Sequence, residues 1–174
     1  MTSQATITTI VQFINGLGIP CRQNQLREGT FLPGIDIQQG EILYDPELMK
    51  YPGDLLHEAG HVAMLLPEDR LQVQSPDKIS GDLDPGAAEM GAIAWSWAAL
   101  KHIGIKPEEV FHEHGYRGGG PNIVENFSEG RFFGIPLLSY FGMTHDPQQH
   151  NDDQTFPNMI CWLRPEKKIV GSSD

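Results

Sequence analysis

The pentapeptide His57-Glu58-Ala59-Gly60-His61 sets two imidazoles four residues apart, with a carboxylate directly after the first. On a helix that spacing puts both histidines on one face, about 6 Å apart, where they can reach one metal ion. The intervening glutamate then lies beside the metal, placed to hold and deprotonate a water. Zinc lowers the pKa of such a water from about 15.7 to about 7, so Glu58 need not be an unusually strong base. The chemistry implied is metal-assisted hydrolysis. With 7 His and 12 Glu in 174 residues, chance supplies roughly 0.02 such strings. Gly60 adds to the signal: glycine costs about 1 kcal/mol relative to alanine inside a helix, so its presence predicts close approach by another backbone.

Two histidines do not complete a tetrahedral site, and Glu89 is the best candidate for a third ligand. It is the only charged residue between Asp84 and Lys101, set among Ala87, Ala88, Met90, Ala92, Ile93, Ala94, Trp95 and Trp97. A helix this apolar on nearly every side is expected to be buried, Glu89 included. A divalent cation would turn the cost of burying that carboxylate into attraction. A metzincin arrangement is excluded, because that pattern requires Gly at 64 and His at 67, where this chain has Met64 and Pro67.

These residues resemble the IrrE/ImmA type of small, cytoplasmic, gluzincin-like zinc metallopeptidases. The similarity covers about residues 35–100: a short strand (Glu41 to Tyr44), Leu55-Leu56-His57-Glu58-Ala59-Gly60-His61 on a helix, and a glutamate on the following helix. The resemblance implies Zn²⁺ held by His57, His61 and Glu89, with Glu58 as general base and a peptide or protein as substrate. It also implies that the strand before the active-site helix offers an edge to an extended peptide. The chain departs from the family in having no recognisable helix-turn-helix and a large excess of acid.

A peptidase also needs donors for the oxyanion and the departing amine. His112, His114 and Tyr116 are the nearest candidates, with Tyr140, Arg117 and Arg131 behind them, and His114 and Tyr116 are assigned the role beside Glu58. Residues two apart on a helix point in different directions, so His112 and His114 could share a metal only in an extended segment. His102, His145 and His150 read as surface residues rather than ligands. Trp95 and Trp97, also two apart, read as core. Gly118-Gly119-Gly120 lacks a following Lys-Ser/Thr and is no phosphate-binding loop.

The elements that must hold these groups follow from periodicity and turn chemistry. Ile7, Ile10, Val11, Ile14 and Leu17 describe an amphipathic scaffold helix over residues 6–17. Residues 19–44 alternate apolar runs with turns at Pro33-Gly34 and Gln39-Gly40, predicting two or three strands of a small sheet. Asp45-Pro46 opens a short helical turn; Pro52 forces a new start, and the site helix runs from about 52–54 to Leu66, where Pro67 stops it. Asp84-Pro85 caps the next helix, which ends at Gly104, and Pro107-Glu108-Glu109 opens a short one. Gly118 to Pro121 reads as a loop, the stretch from Phe132 to Met143 as apolar but broken, and residues 156–164 as a terminal strand or helix. The fold class expected is α+β: one zincin-like domain over 1–174, with a zinc core at about 35–104 and a cleft-forming part at 105–174.

Composition excludes other classes. The formal charge is -11, from 23 acidic and 12 basic residues, and the basic side chains are scattered apart from Lys167-Lys168. That balance argues against nucleic acid, which requires clustered cations, and suits a metal or basic partner. A chain of this length buries enough surface to fold without a metal staple, so a metal here is expected to be functional. Cys21 and Cys161 show no metal-ligand spacing and read as reduced thiols, and the N-terminus resembles neither a leader nor a membrane span. A cytoplasmic location is the expectation. The rival class is a non-catalytic zinc-binding module, whose fourth coordination position would be filled by a side chain such as Asp82 or His114.

Overall fold

A computed structural model describes residues 3–166, and the Lys167-Lys168 pair lies outside them. Within these bounds the chain is a mixed α+β structure. Helix α1 (Ser3–Gly16) leads into strands β1 (Cys21–Gln23), β2 (Ile35–Gln38) and β3 (Glu41–Tyr44). Helices α2 (Asp54–Ala63), α3 (Pro67–Arg70), α4 (Pro85–Ile103), α5 (Pro107–Val110), α6 (Gly120–Ser128) and α7 (Ile135–Tyr140) follow, with single 3₁₀ turns at Pro76–Lys78 and Tyr116–Gly118.

The three strands form one sheet in the order β1-β3-β2, with β1 parallel and β2 antiparallel to β3. Gln38 pairs with Glu41, leaving Gln39-Gly40 as a two-residue hairpin loop. Both loop residues have positive φ (51° and 74°), the combination that matches the twist of the flanking strands. One expectation is corrected here: β3, which precedes the site helix, is the central strand and offers no edge. Among the described residues the edges belong to β1 and β2.

Asp45 caps a plain turn rather than a helix, accepting from the amide of Glu47. The site helix stops at Ala63, short of the expected Leu66, and Pro67 opens α3 instead of only ending the helix before it. Asp84 accepts from the amides of Gly86 and Ala87, and α4 closes on left-handed Gly104 (φ 74°). Pro121 stands in the first turn of α6, so the glycine run leads into a helix, and residues 156–164 form neither strand nor helix. No helix among the described residues is long and apolar enough to cross a membrane.

The core joins α1, the sheet, α2 and α4, with Ile10, Ile14, Ile35, Ile37, Ile42, Leu55, Leu56 and Trp95 fully buried. Trp95 and Trp97 face opposite ways, Trp95 against Phe13 and Trp162, Trp97 against Phe111 and Phe127. Both cysteines are free, and burial pushes the Cys21 thiol up to about 12, with the nearby Glu41 adding to the effect.

Candidate metal centre

Helix α2 buries eight of its ten residues, including His57 and Glu58. Its polar groups Asp54, His57, Glu58 and His61 recur at i, i+3, i+4 and i+7, the spacing that normally carries an apolar stripe. Here that stripe faces a cavity. Gly60 meets α4: a Cβ there would lie 3.1 Å from the Trp95 ring and 3.2 Å from the carbonyl oxygen of Ala92. The predicted close approach is present, and it lets α4 bring Glu89 alongside the two histidines.

The three side chains converge on one point. His57 Nε2 and His61 Nε2 are 3.1 Å apart, His61 Nε2 lies 3.1 Å from Glu89 Oε2, and His57 Nε2 lies 3.3 Å from Glu89 Oε1. Ligands about 2.05 Å from a tetrahedral zinc stand about 3.3 Å from one another, so the triangle has the size zinc requires. Hydrogen bonding alone accounts for it less well. Each Nε2 carries at most one proton, so with Glu89 ionised at most two of the three edges can be hydrogen bonds. The Nδ1 atoms of both rings are buried without a protein partner. A metal on the Nε2 lone pairs would leave the ring protons on those nitrogens, where they lack the protein acceptor that a metal-bound imidazole usually has. Two imidazoles and a carboxylate are a fitting donor set for zinc, and among the described residues the cluster consists of these three.

Glu89 departs from the expected burial. Its side chain is 48% exposed, because the first turns of α4 project past the core before the helix enters it. Glu89 is therefore no buried charge in need of a cation; what fits it to a metal is the convergence of its oxygens with the two imidazoles. Partial desolvation raises the Glu89 carboxyl, but hydrogen bonds and charge from His57 and His61 outweigh it and hold the group well below the carboxylate range. Glu58 behaves oppositely: burial pushes it up to about 7, against the pull of His57 and with help from Asp54 and Glu89. His57 is raised, since its acidic neighbours Glu89, Glu58 and Asp54 outweigh desolvation, whereas for His61 desolvation prevails and its pKa falls.

The triad opens into a cavity of about 680 Å³ that Glu58, Tyr116 and His114 also line. Tyr116 stands edge-on to His57, ring centroids 5.2 Å apart, and its hydroxyl is buried without a partner. Burial, with the nearby acids Asp54, Glu89 and Glu58, drives its pKa well above the ordinary tyrosine value. Tyr116 and Arg117 both adopt left-handed backbone (φ 55°), an uncommon state for non-glycine residues. His114 is a rim residue, 66% exposed and 3.3 Å from Glu113. The inward histidine of the pair is His112, whose Nε2 lies 3.1 Å from Asp54 Oδ1 and whose ring stacks on Tyr51 at 3.6 Å. Tyr140, Arg117 and Arg131 do not line the cavity. Asp82 is engaged by Arg164 and does not line the cavity.

Sequence reasoning passed over Asp54, although its place in the polar stripe of α2 was a usable signal. It had no means of choosing His112 over His114, because the choice depends on how the chain turns after α5. Phe31, Leu32 and Pro33, which precede the expected zinc core, form another wall of the cavity. Comparison of the chain with family models, with curated proteins and with solved structures found no match.

Proposed function

We propose that this chain is a zinc-dependent metallopeptidase with a zincin-like fold, in which His57, His61 and Glu89 hold the metal. The observation that carries the reading is the ligand triangle with the buried carboxyl of Glu58 beside it in one open cavity. Zinc in the triad would supply Lewis-acid polarisation of a carbonyl and acidify a water. Glu58 accepts the proton of the attacking water and passes it to the departing amine. A carboxyl poised near neutrality suits both halves of that task, although a cation in the triad would pull it down. Tyr116, through its unpaired hydroxyl, is the donor available to a developing oxyanion, while His112 gives its Nε2 proton to Asp54 and stacks on Tyr51 in the same wall.

An extended peptide would approach β2, an edge strand whose lead-in Phe31–Pro33 walls the cavity, and would pair with it by displacing the local acceptors of its outward amides, the Leu32 carbonyl on Ile35 and Asp36 Oδ1 on Ile37. The lining carboxylates Asp54, Glu58, Asp77 and Glu89 outnumber the single ammonium of Lys50, which favours basic over acidic peptides. The triad is not completed by Asp82 or His114, which supports hydrolysis over a purely structural zinc module. The test is Glu58→Gln, assayed by mass spectrometry on unstructured protein substrates alongside metal analysis. Turnover falls by at least about 100-fold with zinc retained; preserved hydrolysis in the variant refutes the base assignment.

A further inference from the structure

The geometry points to a second transition-metal site, formed by His145, His150 and Asp152 on the loop that follows α7. Nδ1 of His145 lies 2.8 Å from Asp152 Oδ2, and Nδ1 of His150 lies 3.9 Å from the same oxygen. One ligand atom from each of the three residues falls within 4.8 Å of the others. The two imidazoles stack, centroids 4.4 Å apart and planes at 26°.

The loop backbone is built to hold this arrangement. The amide of His145 donates to the carbonyl of Gln154 (2.8 Å) and its carbonyl accepts from Phe156 (3.0 Å), closing the base of the loop. Asp146 accepts at its carbonyl from Gln149 and His150, and at its carboxylate from Gln148, so the chain makes one helical turn that returns His150 to His145. Asp152 is fixed through Oδ1, which takes the amide of Gln154 and the hydroxyl of Thr155. Its Oδ2 faces the two histidines, and Nδ1 of His145 also lies 3.0 Å from Oδ1, so that imidazole straddles the carboxylate.

An ion pair alone uses this cluster poorly. One proton on His145 satisfies Asp152 and does nothing for His150, and protonating both stacked rings sets two cations face to face. A single divalent cation would employ both imidazole lone pairs and the carboxylate at once, with one of the two partly exposed rings turning out of the stack to bring its lone pair to the ion. Two nitrogens and one oxygen select zinc, nickel or copper over magnesium and calcium, which prefer oxygen alone. Side-chain exposures of 31%, 44% and 46% for His145, His150 and Asp152 leave room for water to complete the shell. None of the three lines the cavity of the first site, so the inference stands apart from the proposed peptidase.

Calorimetric titration of the demetallated full chain with Ni²⁺ tests it, comparing wild type with His150→Gln and Asp152→Asn. Asparagine preserves the turn contacts of Asp152 while removing the anionic ligand, and unchanged near-UV circular dichroism verifies both folds. Each variant is expected to lose one equivalent of bound metal, or to bind it at least tenfold more weakly. The same stoichiometry with affinities within about twofold of wild type in both variants overturns the site.

Discussion

Replacing Arg164 with alanine should cost this protein about 3 kcal/mol, although the residue is far from the metal ligands in sequence. Its side chain is 6% exposed and forks onto Asp82, Nη1 to Oδ1 at 2.8 Å and Nη2 to Oδ2 at 3.1 Å. Nη1 also donates to the carbonyl of Met64 at 3.2 Å, and the guanidinium lies 3.8 Å over the ring of Phe141. The backbone amide donates to the carbonyl of Ala63, so one residue serves two carbonyls at the C-terminal end of α2. Removing one partner of a buried pair costs about 3–5 kcal/mol, and the 34% exposure of Asp82 puts the expectation at the lower end. For a chain of this length, about 3 kcal/mol lowers the melting temperature by roughly 6–12 °C. Urea unfolding of the metal-free protein at neutral pH measures the loss directly. Arg164→Lys, which keeps the charge without the planar fork, should fall between the two. A loss below about 1 kcal/mol in Arg164→Ala would show that the clamp contributes little.

The remaining predictions concern the site. Glu89→Gln keeps the shape of the third ligand without its charge and should weaken zinc binding by at least tenfold in a competition titration; unchanged affinity would remove Glu89 from the ligand set. Gly60→Val forces two methyls into Trp95 and the Ala92 backbone, so it should destabilise by about 1–3 kcal/mol and weaken zinc binding as α2 and α4 separate. Thermal melts with and without zinc would expose any failure of that reasoning. Glu58 also makes metal-free stability depend on pH. Its carboxyl stands at about 7 in the folded chain against an ordinary 4.5, so between those values the folded state holds a proton that the unfolded state has released. Stability therefore declines as pH rises through that window, by about 3 kcal/mol from this group. Asp54, raised mainly by burial, adds in the same direction at lower pH. Glu58→Gln should remove its share, and an identical pH slope in wild type and variant would count against the raised carboxyl.

Much of the architecture was legible because its signals are local. Gln39-Gly40 requires a tight hairpin, Asp84-Pro85 a helix start and Gly104 a helix end, and each behaves accordingly. The i, i+4 histidines needed only a helix to share a face. What the sequence concealed is set by tertiary contact. Glu89 looked buried because its neighbours are apolar, yet a 19-residue helix that enters a core must leave one end outside it, and periodicity does not say which end. The order of strands was hidden for a related reason: β1 pairs with β3 across an intervening hairpin partner, and alternation within a strand carries no information about its neighbours. His112 and His114 differ by which of them reaches Asp54, a contact spanning 58 residues.

His57, His61 and Glu89, the proposed ligands, lie on the two helices α2 and α4, with His61 and Glu89 only 28 residues apart. Closing a loop of that size costs roughly 3 kcal/mol of chain entropy, against about 4 for the separation of 100 residues between Arg164 and Met64. A metal ion can therefore gather its ligands while the C-terminal segment is still unplaced, and can hold α2 to α4 after that segment has let go. In a chain emerging from synthesis, the site would be available before the clamp that later stiffens it. On the proposed ligation, the centre would not depend on Arg164 for its formation, and Arg164 would stiffen the helix that carries two of its ligands.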